Sequence, residues 1–115
     1  MSDSIFKGRL YRDSCIETID GFYLKDLRVI EDRALKDIIL VDNCIYSFVF
    51  QPNNGIPIFA YYDQPRDTEL KSLLQFLMEL SNVGDIREIL KDYFRLEDIM
   101  KSKNIAEAKG IFGFL

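Results

Sequence analysis

Histidine is absent from this 115-residue chain, and cysteine occurs only at Cys15 and Cys44. The lack of imidazole removes the usual base of serine and cysteine triads and the usual nitrogen ligand of zinc, and the cysteine spacing excludes a CxxC pair. Two isolated thiols are expected to be reduced and buried, as in an intracellular protein. No charge of one sign prevails: 15 Lys and Arg stand against 19 Asp and Glu, a net charge of −4. That balance provides no general attraction for nucleic acid or anionic lipid, so any phosphate recognition has to be local. Apolar runs of membrane-spanning length, internal repeats and low-complexity segments are all missing. The chain opens on the polar Met1-Ser2-Asp3-Ser4, where a leader would be basic and apolar. These absences predict a chain with no membrane and no nucleic-acid partner, located in the nucleus or the cytoplasm.

What is present is enough for a core. With 48% hydrophobic residues the chain can fold as one domain, although it is short for a complete doubly wound sheet. The central stretch is Ile38-Ile39-Leu40-Val41-Asp42-Asn43. Four branched apolar residues without alternation read as a strand buried on both faces, in an α/β architecture, though length alone leaves a buried helical turn open. In open α/β sheets ligands gather beyond the carboxyl ends of strands, which makes Asp42 and Asn43 candidate site residues. The alternative is that they merely begin a turn.

Upstream, β-formers and charges alternate roughly from Arg9 to Ile19 and then meet Asp20-Gly21, with Phe22-Tyr23-Leu24 as the returning strand: a hairpin. Leu27, Ile30 and Leu35 could form a short helical face. Lys25, at the end of an apolar run, is by default a snorkelling surface lysine. Downstream, Cys44 to Phe50 is apolar and irregular, Gln51 to Gly55 is a loop, and Ile56 to Tyr62 is a short strand with Pro57 near its start. Asp67 is placed to cap a helix carrying Leu70, Leu73, Leu74, Leu77 and Leu80 on one stripe. Asp85 opens a second helix, with Glu88 reaching back to close a capping box and Ile86, Ile89, Leu90 and Tyr93 on one face. Both stripes are expected to face the core. The tail from Arg95 reads as a marginal helix followed by an apolar, frayed end.

Five blocks in this order carry a resemblance: Arg-Leu-Tyr-Arg-Asp-Ser-Cys (9 to 15), Gly-Phe-Tyr-Leu-Lys-Asp-Leu (21 to 27), Ile-Leu-Val-Asp-Asn (39 to 43), Asn-Gly-Ile-Pro-Ile (54 to 58) and Asp-Thr-Glu-Leu (67 to 70). Together, over about residues 6 to 93, they resemble the small C-terminal-domain phosphatases and the NLI-interacting-factor domain, aspartate-based phosphatases of the haloacid dehalogenase superfamily. The resemblance implies a partial haloacid dehalogenase-like, Rossmannoid α/β fold. It would have central parallel strands, an N-terminal β-hairpin and C-terminal helices, and lack the first half of the domain. Residues 1–94 would be the carboxy-terminal part of that domain and 95–115 a marginally helical tail. Lys25 matches the lysine that neutralises the transferring phosphate, Asp42 the acid that orients it, and Asn43 an amide that helps hold Mg²⁺. Arg12 matches an arginine that contacts the phosphorylated peptide. These residue types suit the chemistry, because Mg²⁺ prefers a few hard oxygens and phosphoryl transfer depends on positioning and charge stabilisation.

The departures are as informative. The family's Asp-x-Asp-x-Thr/Val nucleophile motif occurs nowhere in this sequence. Cys44-Ile45 replaces the Ser-Pro that often follows Asp-Asn, and no threonine or serine corresponds to the family's phosphate-gripping residue. Lys25, Asp42 and Asn43 can stabilise charge but cannot form an aspartyl-phosphate. The expected function is therefore the carboxy-terminal part of a Mg²⁺-dependent protein Ser/Thr phosphatase domain, resembling those of the RNA polymerase II tail, inactive alone. Two alternatives are a non-catalytic module binding phosphopeptide or protein, and the related receptor domain of the mitochondrial inner-membrane translocase. The nucleophile strand would lie beside residues 38–41, so its absence predicts an exposed sheet edge. Such an edge invites self-association or pairing with an amino-terminal half-domain.

Overall fold

The computed structural model describes residues 6–58 and 69–102. Within them the chain is α/β, with two sheets of two strands each and three α-helices. The first sheet is the expected hairpin, reduced to β1 (Ile16–Glu17) and β2 (Tyr23–Leu24) in antiparallel register Ile16↔Leu24 and Glu17↔Tyr23. Its first strand is shorter than the alternation predicts because Arg12–Ser14 closes into a 3-10 turn. The connection is a three-residue loop. Thr18 N–H donates to the Phe22 carbonyl at 2.8 Å, and the Phe22 N–H returns to the Thr18 hydroxyl at 3.0 Å. Gly21 takes the left-handed conformation such a loop needs, at φ 86°.

The helical face sketched through Leu27, Ile30 and Leu35 does not form a helix. Two single 3-10 turns, Leu27–Val29 and Leu35–Asp37, occupy that region. The second sheet joins β3 (Leu40–Asp42) to β4 (Gly55–Pro57) in parallel, with Leu40 opposite Gly55, Val41 opposite Ile56 and Asp42 opposite Pro57. Pro57 cannot donate, and the next bond comes from Ile58 N–H to the Asp42 carbonyl at 3.0 Å. Pro57 closes this strand instead of opening it. The expected continuation from Phe59 to Tyr62, and the Asp67 cap, lie outside the described residues.

Both faces of β3 carry packing, as the unbroken apolar run predicts. Ile39 and Val41 pack with Ile56, Leu80, Ile86 and Leu90, and Leu40 packs on the opposite cluster around Phe48, Leu96 and Met100. Residues 38–42 are nevertheless only half-buried. Among the described residues β3 has one neighbouring strand, so its other side is left open.

The twelve residues between β3 and β4 hold the site together. A 3-10 turn at Ile45–Phe48 drives Phe48 into the core, and a second at Pro52–Asn54 brings the chain back. The fully buried Asn54 amide donates to the carbonyls of Leu35 (2.6 Å) and Ile38 (2.9 Å), which pins the approach to β3. At Gly55 a Cβ would fall on the Phe48 ring, so only glycine lets β4 lie this close.

Helix α1 (Glu69–Leu80) is amphipathic as its spacing predicts, but its apolar stripe is only partly covered. Leu73, Leu77 and Leu80 join the core; Leu70 and Leu74, with Met78 beside them, are exposed. Helix α2 (Ile86–Phe94) behaves similarly, burying Ile86 and Leu90 and leaving Tyr93 outside. The expectation that both stripes face the core holds for one side of each helix. A sheet of two strands spaced at about 4.8 Å is too narrow to cover the rest.

Asp85 caps α2 as expected, its carboxylate accepting from Arg87. Arg87 donates its backbone N–H (3.0 Å) and guanidinium (2.8 Å) to Asp85 and holds that carboxyl down at about 2. Arg95, left-handed at φ 54°, ends α2 and leads into α3 (Leu96–Ser102), whose Leu96 and Met100 pack on Phe48. The apolar chain end lies outside the described residues.

The close approach at Gly55 yields a direct check. Gly55→Ala has to displace the buried Phe48 ring and should lower stability by about 1–3 kcal/mol, read from urea unfolding. A variant as stable as the parent chain would show that this contact does not constrain the β3–β4 pairing.

Candidate functional site

The hairpin and the parallel pair share no strand, yet their ends meet. Lys25 follows β2 directly and Asp42 is the last residue of β3, and the Lys25 ammonium lies 2.6 Å from Asp42 Oδ2. Lys25 is thus engaged at the carboxyl end of the strand, and the default surface-lysine reading does not apply. Asp42 is nearly enclosed and Lys25 partly open, with side-chain exposures of 12% and 41%.

The other carboxylate oxygen is also occupied. Asp42 Oδ1 accepts the Cys44 N–H at 2.9 Å, an Asx turn of the kind the turn reading of Asp42-Asn43 anticipates. Asp42 therefore begins a turn and meets Lys25 with the same carboxylate. Burial pushes its carboxyl upward. The Lys25 ammonium, the Cys44 N–H and the Ser47 side chain outweigh that effect and hold it below its ordinary value. Ser47 is buried and was not singled out from the sequence. Its signal was the one small polar side chain inside the otherwise apolar and aromatic run from Cys44 to Phe50, since a buried polar side chain needs a partner.

Asn43 follows Asp42 on the exposed surface, with no hydrogen bond among the described residues. Arg12 lies on the hairpin side, its guanidinium 5.4 Å from the centre of the Tyr23 ring. Arg12 and Lys25 border one groove of about 460 Å³, whose apolar walls include Leu10, Tyr11, Val29 and Leu40. The structure therefore joins Lys25 to Asp42 and sets Arg12 along the same groove. Cys15 lines it too. Both cysteines are free, as expected, but half-buried instead of buried, because they sit at the margins of the two small sheets.

Two further residues frame Lys25. Asp26 receives the Arg28 guanidinium at 2.6 Å, which is the main reason its carboxyl lies far below the usual range. It also accepts from the Gln51 amide at 2.9 Å. Gln51 sits in a stretch so dense in turn formers that the sequence marks it only as loop.

The donor set does not by itself fit Mg²⁺. Among the described residues no group of three or more carboxylate, histidine or cysteine ligands converges. Both Asp42 oxygens are already engaged, which leaves the single amide oxygen of Asn43, whereas Mg²⁺ takes six oxygens in octahedral geometry.

The profile of the family described as NLI interacting factor-like phosphatase matches residues 1–87, a span that contains Arg12, Lys25, Asp42 and Asn43. The chain belongs to that phosphatase family. Its similarity to individual members is substantial. It is 47% identical over 94 residues to CTD small phosphatase-like protein 2 of Dictyostelium discoideum, covering 82% of this chain and 16% of that protein. Against human carboxy-terminal domain RNA polymerase II polypeptide A small phosphatase 1 the identity is 40% over 86 residues, 75% of this chain and 32% of that one. CTD small phosphatase-like protein 3 of Caenorhabditis elegans gives 42% over 91 residues, 78% and 31%. The chain thus spans less than a third of the length of these NLI interacting factor-like relatives. No described helix is long and apolar enough to cross a membrane.

The lowered Asp42 carboxyl fixes the sign of a pH effect. Its contribution to stability is complete above the ordinary aspartate range, near pH 4, and is lost as pH falls through the depressed folded value. With Lys25 41% exposed, Lys25→Met should cost only on the order of 1 kcal/mol at pH 7. The gap between the two melting curves should close in acid. A gap of constant size down to pH 2 would show that the pair contributes nothing.

Proposed function

We propose that this chain is the carboxy-terminal part of a haloacid dehalogenase-like phosphatase domain that acts on phosphorylated Ser/Thr proteins. In this reading it supplies the cationic side of the site. The observation that carries the reading is the Lys25–Asp42 contact at the end of β3. A buried carboxylate holds an ammonium charged and directed, which is what a developing phosphoryl charge requires. Arg12, on the same groove, suits phosphate oxygens of the peptide through its guanidinium fork.

Asn43 would give one oxygen to a magnesium ion whose remaining ligands are not among the described residues. When bound, Mg²⁺ would supply charge neutralisation at a phosphate. The sequence holds no Asp-x-Asp-x-Thr, so the chain on its own is a binding unit and not a catalyst. That is the second reading, a phosphopeptide-binding module, and the paired cation of Lys25 favours it equally.

The open side of β3 is where a partner strand would add, from a second copy or an amino-terminal half-domain. The name of the human relative supports a substrate of the RNA polymerase II type.

With a phosphoserine peptide the chain should bind without turnover, with or without Mg²⁺. Arg12→Ala should weaken binding about tenfold or more, the worth of a charged hydrogen bond. Turnover that persists through purification and is lost in Asp42→Ala would overturn the non-catalytic reading. Sedimentation should give a mass above the monomer or, after mixing, a complex with an amino-terminal half-domain. A concentration-independent monomer with one cooperative melt would rule out completion through β3.

A further inference from the structure

Lysine is a poor choice for a fixed charge unless something fixes it, since its flexible four-carbon stem loses rotamer freedom when the ammonium is held. Asp42 holds the far end of Lys25. What holds the near end is found outside the pair, in the segment directly after the lysine.

Gln51 spends both ends of its amide there. Its Nε2 donates to Asp26 Oδ1 at 2.9 Å, and its Oε1 accepts the Leu27 N–H at 2.9 Å. The orientation of the amide follows from the partners. Reversed, it would set NH₂ against N–H and oxygen against a carboxylate, repulsive on both sides. The partners lie 25 and 24 residues away, so the clamp is tertiary and not part of a local turn. Arg28 also binds Asp26, but from two residues away and from an exposed position, and so cannot tie the segment to another element.

Gln51 is itself anchored to the strand that carries Asp42. Its carbonyl accepts the Asn54 N–H at 3.1 Å, the Asn54 side chain grips the carbonyls of Leu35 and Ile38 ahead of β3, and Gly55 opens β4 alongside it. Lys25 and Asp42 are therefore connected twice: once by their own contact, and once through Gln51 and the turn at Pro52–Asn54.

We infer that Gln51 is a positioning residue for Lys25, clamping the two residues after it so that the ammonium is presented to Asp42 from a fixed backbone. The inference rests on reading Lys25–Asp42 as the functional pair and adds the device that preorganises it. Gln51 touches neither partner's charged group and acts only through Asp26 and Leu27.

The test uses the full chain and the ¹³C pH titration of the Asp42 carboxyl, which senses the nearness of Lys25. Gln51→Met keeps the length of the side chain and removes both hydrogen-bonding ends. It should move the Asp42 midpoint upward, in the same direction as Lys25→Met. Leu90→Ala, a truncation of a fully buried core residue that lowers stability, should leave the midpoint in place. Gln51→Glu keeps the acceptor for Leu27 but sets a carboxylate against Asp26, and should also raise the midpoint. Adding Asp26→Asn, whose amide can donate to the new carboxylate, should return it most of the way. If Gln51→Met does not fold, the Gln51→Glu and Asp26→Asn pair carries the decision.

An unmoved midpoint in the Gln51 variants while Lys25→Met moves it would overturn the inference and leave the Lys25–Asp42 pair standing. An equal movement in Leu90→Ala would also overturn it, by showing a general loss of structure. No movement in Lys25→Met would remove the pair itself, and with it both this inference and the functional reading beneath it.

Discussion

The contact between Lys25 and Asp42 joins the ends of two small sheets that share no strand, alongside the Gln51 hydrogen bonds and the stacking of Phe22 on Tyr46. The hairpin contributes a flexible cation, and the parallel pair contributes a carboxylate whose position is set by the backbone. Burial alone would favour the neutral acid. The charged form persists because three donors converge on it, and only one of these, the ammonium, comes from the hairpin. The β3 side supplies two of these donors, the Cys44 N–H and the Ser47 side chain, and the ammonium makes the largest contribution against burial. What the lysine adds is a cation that cannot drift away from the strand end.

That arrangement depends on a crossover made without an α-helix. Parallel strands need a connection of about a dozen residues, usually a helix. Here two 3-10 turns do the work. Phe48 descends into one core cluster, and Gly55 passes over its ring, so that β4 can take its place beside β3. Narrowness is the cost. Among the described residues the two-strand width leaves β3 with one neighbouring strand, and Leu70, Leu74 and Met78 stay outside the core.

Much of this was legible in the residues. The unbroken run at 38–41 announced a strand packed on both faces, Asp20-Gly21 a hairpin, and Asp85 a helix start, because each depends on chemistry local to a few residues. Lys25 was legible only through resemblance: spacing alone made it a surface lysine, and nothing local says that a cation will meet a carboxylate seventeen positions away. The extent of burial on α1 was misjudged for a related reason. Periodicity identifies a stripe but not the width of what covers it. Gln51 and Ser47 stayed hidden because their roles consist of hydrogen bonds to distant partners, for which a loop composition and an apolar run carry no mark.

The brevity of the separations has a kinetic corollary. The ties that build the site span 17, 24 and 25 residues, and the parallel pairing spans fifteen. Closure entropy rises only with the logarithm of such spans, so none of these ties has to wait for the helical end of the chain to be synthesised or docked. Closing the span between Lys25 and Asp42 therefore carries a modest entropic cost, set by seventeen residues and not by the length of the whole chain.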